Sequence, residues 1–147
     1  LHVRSRRQRQ MCIRDRHHWG ASLVVVMMFL HTLRVFFTGA YKAPRELNWV
    51  VGVLLFATIL GLAFTGYLLP WDMKALFATK VGLDIAGSVP FIGDWIQTLL
   101  AGDDTIIGAQ TLTRFFAIHV FFLPAALFVL MAIHFIMIRR QGIAGPL

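Results

Sequence analysis

The sequence has a single cysteine, Cys12, so it can form no internal disulfide, and it lacks a C-x-x-C-H string for covalent cofactor attachment. Charge is scarce. Only 14% of the 147 residues are charged and 58% are hydrophobic, with a mean hydropathy of +0.71. That balance excludes an ordinary soluble domain and fits a membrane protein. Acid is rarer still, with seven Asp and Glu against fourteen Lys and Arg, a formal net charge of +7. The excess is local. Residues 1–16 carry Arg4, Arg6, Arg7, Arg9, Arg14 and Arg16 against Asp15 alone, and the rest is close to neutral. A basic arm of this kind suits nucleic acid or anionic lipid, but the chain behind it is too apolar for a nucleic-acid binder, so no nucleic-acid partner is expected. Residues 1–16 also lack the apolar stretch of a secretory signal.

Three long apolar runs are present: Trp19 to Phe37, Leu47 to Leu69 and Phe115 to Ile138. Each has about 20 residues, enough to cross a hydrocarbon layer of about 30 Å. Gly39 and Pro44 punctuate the first turn, and Pro70 closes the second run. The pattern predicts an all-α membrane protein with spanning helices over about 17–38, 47–69 and 111–138. Within the connection 70–110, the short apolar patches Ala75–Leu83 and Pro90–Leu100 predict amphipathic helices at the membrane surface. Asp103, Asp104 and Gly108 mark a loop before the last helix. Lys42, Arg45, Arg139 and Arg140 fall on one side of the membrane, which the positive-inside rule makes cytoplasmic or its equivalent. The arginines of residues 1–16 then stand on the wrong side: either a missing upstream helix changes their context or, the favoured reading, that segment is a non-native or disordered tail.

Histidines give these helices their chemistry. His17 and His31 lie fourteen residues apart on the first helix, and His119 and His134 fifteen apart on the last. At about 100° per residue, fourteen steps return to within about 40° of the starting direction and fifteen to within about 60°. Each pair therefore shares a helix face, with a rise of about 21 to 22 Å between its members. Three consecutive spans run up, down and up, so the first and third are parallel, and His17 pairs in depth with His119 and His31 with His134. Two imidazoles at one depth can clamp the iron of a haem between them. His18 is out of phase with His31 and is expected at the interface or in solvent. Ionisable groups inside a membrane are costly and are functional by default. Gly52 and Gly66 on the middle helix repeat the fourteen-residue spacing and offer room for a bulky planar group; small-residue helix packing is the plainer alternative. Arg34 and Arg114 stand near the histidines as candidate propionate partners, with Lys42 and Arg45 weaker candidates.

In order along the chain, HHWGAS, LHTLRVFFTG, KAPRELNWVVG, TGYLLPWD, TLTRFFAIH and MIRRQGIAGPL resemble cytochrome b6 and the N-terminal half of cytochrome b of bc-type complexes, from about residue 17 onward. The fourteen residues enclosed by His119 and His134 and the ending QGIAGPL point to the b6 type. The resemblance implies two haem b groups, held near the positive side by His17 and His119 and near the negative side by His31 and His134, with Gly52 and Gly66 at the family's glycine positions. It also implies a dihaem subunit fragment of a quinol:cytochrome c or plastocyanin oxidoreductase, not catalytic alone, with quinone or quinol as substrate. Electrons would cross the membrane between the haems and contribute to proton-motive force. Expected partners are a separate C-terminal half resembling subunit IV, a Rieske iron–sulfur protein, a c-type cytochrome and membrane lipid, in a dimeric complex of a bacterial inner or thylakoid-type membrane. Against the family pattern, the first transmembrane helix is missing. Met73 stands where Gln is usual and Phe77 where Trp is usual. The rival readings are a dihaem membrane anchor of another quinone-linked oxidoreductase and a haem-free membrane scaffold.

Overall fold

The computed structural model describes residues 2–102 and 107–143, with side chains from residue 8 onward. Asp103 and Asp104 of the expected loop lie outside the described residues. All regular structure among the described residues is helical. The order is α1 (His2–Phe37), α2 (Glu46–Leu68), α3 (Met73–Gly87), α4 (Gly93–Ala101), α5 (Ala109–Ala117), a π-helical turn (Ile118–Phe122) and α6 (Leu123–Gln141). Three segments are long and apolar enough to span a bilayer: Gln8–Phe37, Glu46–Leu68 and Ala109–Gln141. Hardly any of their side chains are buried inside the chain. Phe29, Phe128 and Phe135, for example, are more than half exposed, a disposition stable only in lipid or against other apolar helices.

Helix α1 departs from expectation. Residues 2–16, expected as a disordered or non-native tail, continue the first spanning helix. Arginine, glutamine and methionine are good helix formers, and neither Gly nor Pro interrupts the chain before Gly20. Once the apolar span has nucleated, adding turns to its end is easy.

The chain divides into two compact units, residues 1–56 with 134–147, and residues 57–133. In the first unit α1 ends where Gly39 takes φ 65° and the Thr38 hydroxyl donates back to the Arg34 carbonyl at 2.7 Å. Tyr41 stacks on Phe36 at 5.8 Å and packs tilted against Trp49 at 5.6 Å, which ties the turn to α2. Arg45 donates through Nε and Nη2 to the carbonyls of Gly142 and Ile143 at 3.3 and 3.4 Å, tying the turn before α2 to the segment just past α6.

In the second unit the surface helices form as the apolar patches predict. Asp72 caps α3, its Oδ1 accepting from the Ala75 backbone N–H at 2.8 Å. Helix α4 returns close against α3 because Gly93 lies on the Gly87 carbonyl, where any Cβ would collide. Gly102, at φ 90°, ends α4. Helix α5 is locked to α4 by two side chains. The buried Thr111 hydroxyl donates to the Ala101 carbonyl at 2.8 Å, and Arg114 Nη1 donates to the carbonyls of Thr98 and Leu99, both at 2.8 Å. Leu68, Leu83 and Phe115 form the buried core, with Phe64 and Leu112 packed on it. This core fixes the end of α2, the surface helices and the start of the last span as one block.

Candidate haem-ligand sites on the spanning helices

His119 lies within the π-helical turn. The cause is five residues further on. Pro124 has no N–H, and in a regular α-helix its ring would press on the Val120 carbonyl. The backbone widens instead, and the Leu123 N–H bonds the Ile118 carbonyl in the i→i+5 pattern. A π turn takes up one extra residue. Counted along the helix, the fifteen residues from His119 to His134 therefore advance as fourteen α-helical steps would, the same as His17 to His31.

Two consecutive residues of α2 hold the His119 ring. A Cβ built on Gly66 would lie 2.6 Å from His119 Cε1 and 3.1 Å from Nδ1, so only glycine allows the ring this close. Beside it the buried Thr65 hydroxyl lies 3.2 Å from His119 Nδ1. The glycine thus makes room for the imidazole itself.

The first unit holds the second arrangement. Gly52 faces His134, with a would-be Cβ 3.5 Å from Cε1, an ordinary contact distance. His31 is near enough to His134 to act on it electrostatically, and the Asn48 backbone is within hydrogen-bonding reach of the His134 ring. Nδ1 of His134 is buried and no hydrogen bond reaches it. His17 and His18 are exposed on α1. The His18 ring meets Trp19 edge-on at 6.5 Å.

The arginines divide. Arg34 is exposed in the last turn of α1. Arg114 is a structural cap of α4 through Nη1, and Arg45 holds the segment just past α6. Their positions in sequence gave no sign of these carbonyl partners. Thr65 was missed for the same reason: a hydroxyl in a spanning helix reads as ordinary back-bonding to its own helix.

These residues suit an iron porphyrin. A buried imidazole nitrogen without a partner at His134 and a ring seated against glycine at His119 are what a haem ligand requires: a nitrogen lone pair and steric room. Fold and histidine placement together define a multi-pass helical membrane protein with imidazoles built into its spans. Residues 22–147 match the family described as Cytochrome b(N-terminal)/b6/petB, and the chain belongs to that family of haem-binding membrane cytochromes.

The chain is 78% identical over 135 residues to the menaquinol:cytochrome c reductase cytochrome b subunit of Bacillus subtilis (strain 168), covering 92% of this chain and 60% of that protein. It is 49% identical to cytochrome b6 of a Synechocystis strain over the same shares of each. Among solved structures it is similar to a chain of a hyperthermophilic respiratory Complex III, with a TM-score of 0.77 and 31% identity, covering 86% of this chain and 34% of that one. The chain thus spans 60% of the length of these sequence relatives. Because 135 of its 147 residues are matched, the likeness begins before residue 17 and takes in at least residues 13–16, Arg14 among them.

Proposed function

We propose that this chain is the dihaem part of a cytochrome b subunit in a quinol-oxidising complex of the bc or b6f type. His17 and His119 would hold one haem b near the positive side, and His31 and His134 a second near the negative side. Each haem, when bound, supplies a one-electron redox centre, and two at different depths let the subunit move electrons across the bilayer and contribute to proton-motive force.

The chain's own residues do the rest. The histidines would supply nitrogen lone pairs to the iron, from helices whose positions lipid and core packing fix. Gly66 lets α2 lie against the His119 ring, and Gly52 faces the His134 ring at ordinary contact distance. The apolar spans keep water from the imidazoles. Arg34 is proposed to pair with a propionate at the end of α1. Arg114 can serve that role only through N–H groups other than Nη1, which α4 holds.

The 78% identity to a menaquinol:cytochrome c reductase subunit supports a menaquinol-type substrate and a c-type cytochrome as acceptor. The proposed partners are a C-terminal cytochrome b half like subunit IV, a Rieske iron–sulfur protein and a c-type cytochrome, in a dimeric complex. The single observation that carries this reading is the set of four histidines at matched spacing in a chain of this family.

The test uses the full-length subunit in its complex. Reduced-minus-oxidised spectra with haem extraction should give two b haems per subunit, and the complex should reduce cytochrome c with menaquinol. A stoichiometry of one or none, or no menaquinol-dependent turnover, overturns the proposal.

A further inference from the structure

Thr65 has one hydroxyl proton and two uses for its oxygen. The side chain is buried, 3% exposed, in the spanning part of α2. Its Oγ1 lies 2.8 Å from the Gly61 carbonyl and 3.3 Å from that of Leu62. Carbonyls only accept, so the proton goes to them. The same oxygen lies 3.2 Å from His119 Nδ1. With its proton already given to the helix, the hydroxyl can only accept there, so Nδ1 must carry the hydrogen. A neutral imidazole protonated at Nδ1 has its lone pair on Nε2.

We propose that Thr65 is a positioning residue for His119: it selects the tautomer that presents the Nε2 lone pair to iron, fixes the plane of the ring, and lowers the reduction potential of the haem held there. The inference rests on the haem reading above. Three observations meet in it. The His119 ring sits in a π-helical turn, where the regular α-helical packing that orients a side chain is interrupted. Gly66, the next residue of α2, brings that helix within reach of the ring. The other candidate ligand of the last helix, His134, has no side-chain hydroxyl at Nδ1; its neighbour there is the Asn48 backbone. An Nδ1–H that donates a hydrogen bond makes its imidazole a more basic ligand, and a more basic ligand favours ferric over ferrous iron. The effect should therefore fall on one haem and spare the other.

The test is made in the full-length subunit assembled in its complex. T65V keeps the side-chain shape and removes the oxygen; T65S restores the oxygen. Each is examined by potentiometric titration of both haems and by low-temperature EPR of the ferric state. Outer ligand-supporting contacts change metal affinity by about 10- to 100-fold when lost, and a neutral hydroxyl belongs at the lower end. T65V should shift the ferric–ferrous equilibrium of the His119 haem toward ferrous by up to about tenfold, or ~59 mV upward for a one-electron couple. Its EPR signal should broaden as the ring loses its fixed plane. The His134 haem should be unchanged, and T65S should match the wild type.

Loss of the His119 haem alone in T65V, with T65S normal, also supports the proposal. Unchanged potentials and EPR in T65V overturn it. So does T65S behaving like T65V, an equal shift of both haems, or failure of T65V and T65A to assemble while T65S assembles, which would make the hydroxyl a requirement of folding only. Absence of haem from the wild-type complex would instead sink the haem reading itself, and this inference with it.

Discussion

Replacing Gly66 with alanine should displace one haem ligand while leaving the helices in place. The new Cβ would stand 2.6 Å from His119 Cε1, whereas ordinary contact begins at 3.4 Å. The ring must therefore retreat by about 0.8 Å, since the backbone of α2 is fixed by the Leu68–Leu83–Phe115 core. Overpacking of this size costs about 1–3 kcal/mol. Alanine recovers about 1 kcal/mol through its better helix propensity, so the protein should still assemble. The ligand geometry should not survive. A retreat of that size lengthens the 3.2 Å contact between Thr65 Oγ1 and His119 Nδ1 beyond hydrogen-bond range, and misplacing a reacting group by about 1 Å can cost about 100-fold.

Gly52 provides the control. A Cβ there meets His134 Cε1 at 3.5 Å, an ordinary contact, so G52A should be tolerated. The assay is haem per subunit by extraction, with reduced-minus-oxidised spectra of purified complexes. G66A should lose about half of its b haem and G52A almost none. If G66A retains two haems at wild-type potentials, or G52A is the more damaging of the two, the packing of α2 on these rings is not what positions the ligands.

Three further outcomes follow from named contacts. H31A, H134A and the double variant should each lose the same half of the b-type absorbance, because under the proposed pairing either single change removes one of the two ligands of the same iron; additive losses in visible spectra would refute the pairing. R114A should lower thermal stability by about 1 kcal/mol, the order of a partly exposed charged donor on backbone carbonyls, through loss of the α4 cap and with haem content kept; thermal melts followed at the haem band would show it. P124A restores a backbone N–H and removes the ring that widens the helix, so the π turn should revert to α-helix, rotate His119 by about 100° and release its haem; full haem content in P124A would show that the wide turn does not set the ligand's direction.

The spans, the surface helices and the histidine spacing were legible in the sequence because each depends on residues close together in the chain. Runs of about 20 apolar residues, two patches of nine to eleven, and turns marked by Gly39, Pro44 and Pro70 express periodicity and backbone preference, which act locally. The fifteen-residue step from His119 to His134 was legible only in part, since its offset of about 60° becomes the offset of about 40° that His17 and His31 have once the π turn before Pro124 takes up a residue. The continuation of α1 back to His2 was not legible from the positive-inside pattern, because side-of-membrane charge carries no information about backbone conformation whereas helix propensity does.

The sequence alone determined which helices cross the membrane and which side chains can offer nitrogen to iron, since both are properties of composition and count along one strand of chain. Tertiary structure decided what each of those groups touches. Thr65 meets His119 across 54 positions, Arg114 folds back onto α4, and Arg45 reaches residue 142. Such contacts join helices brought together by core packing and steric fit, and hydrogen-bond partners selected by proximity in space leave no mark in the local pattern of residues.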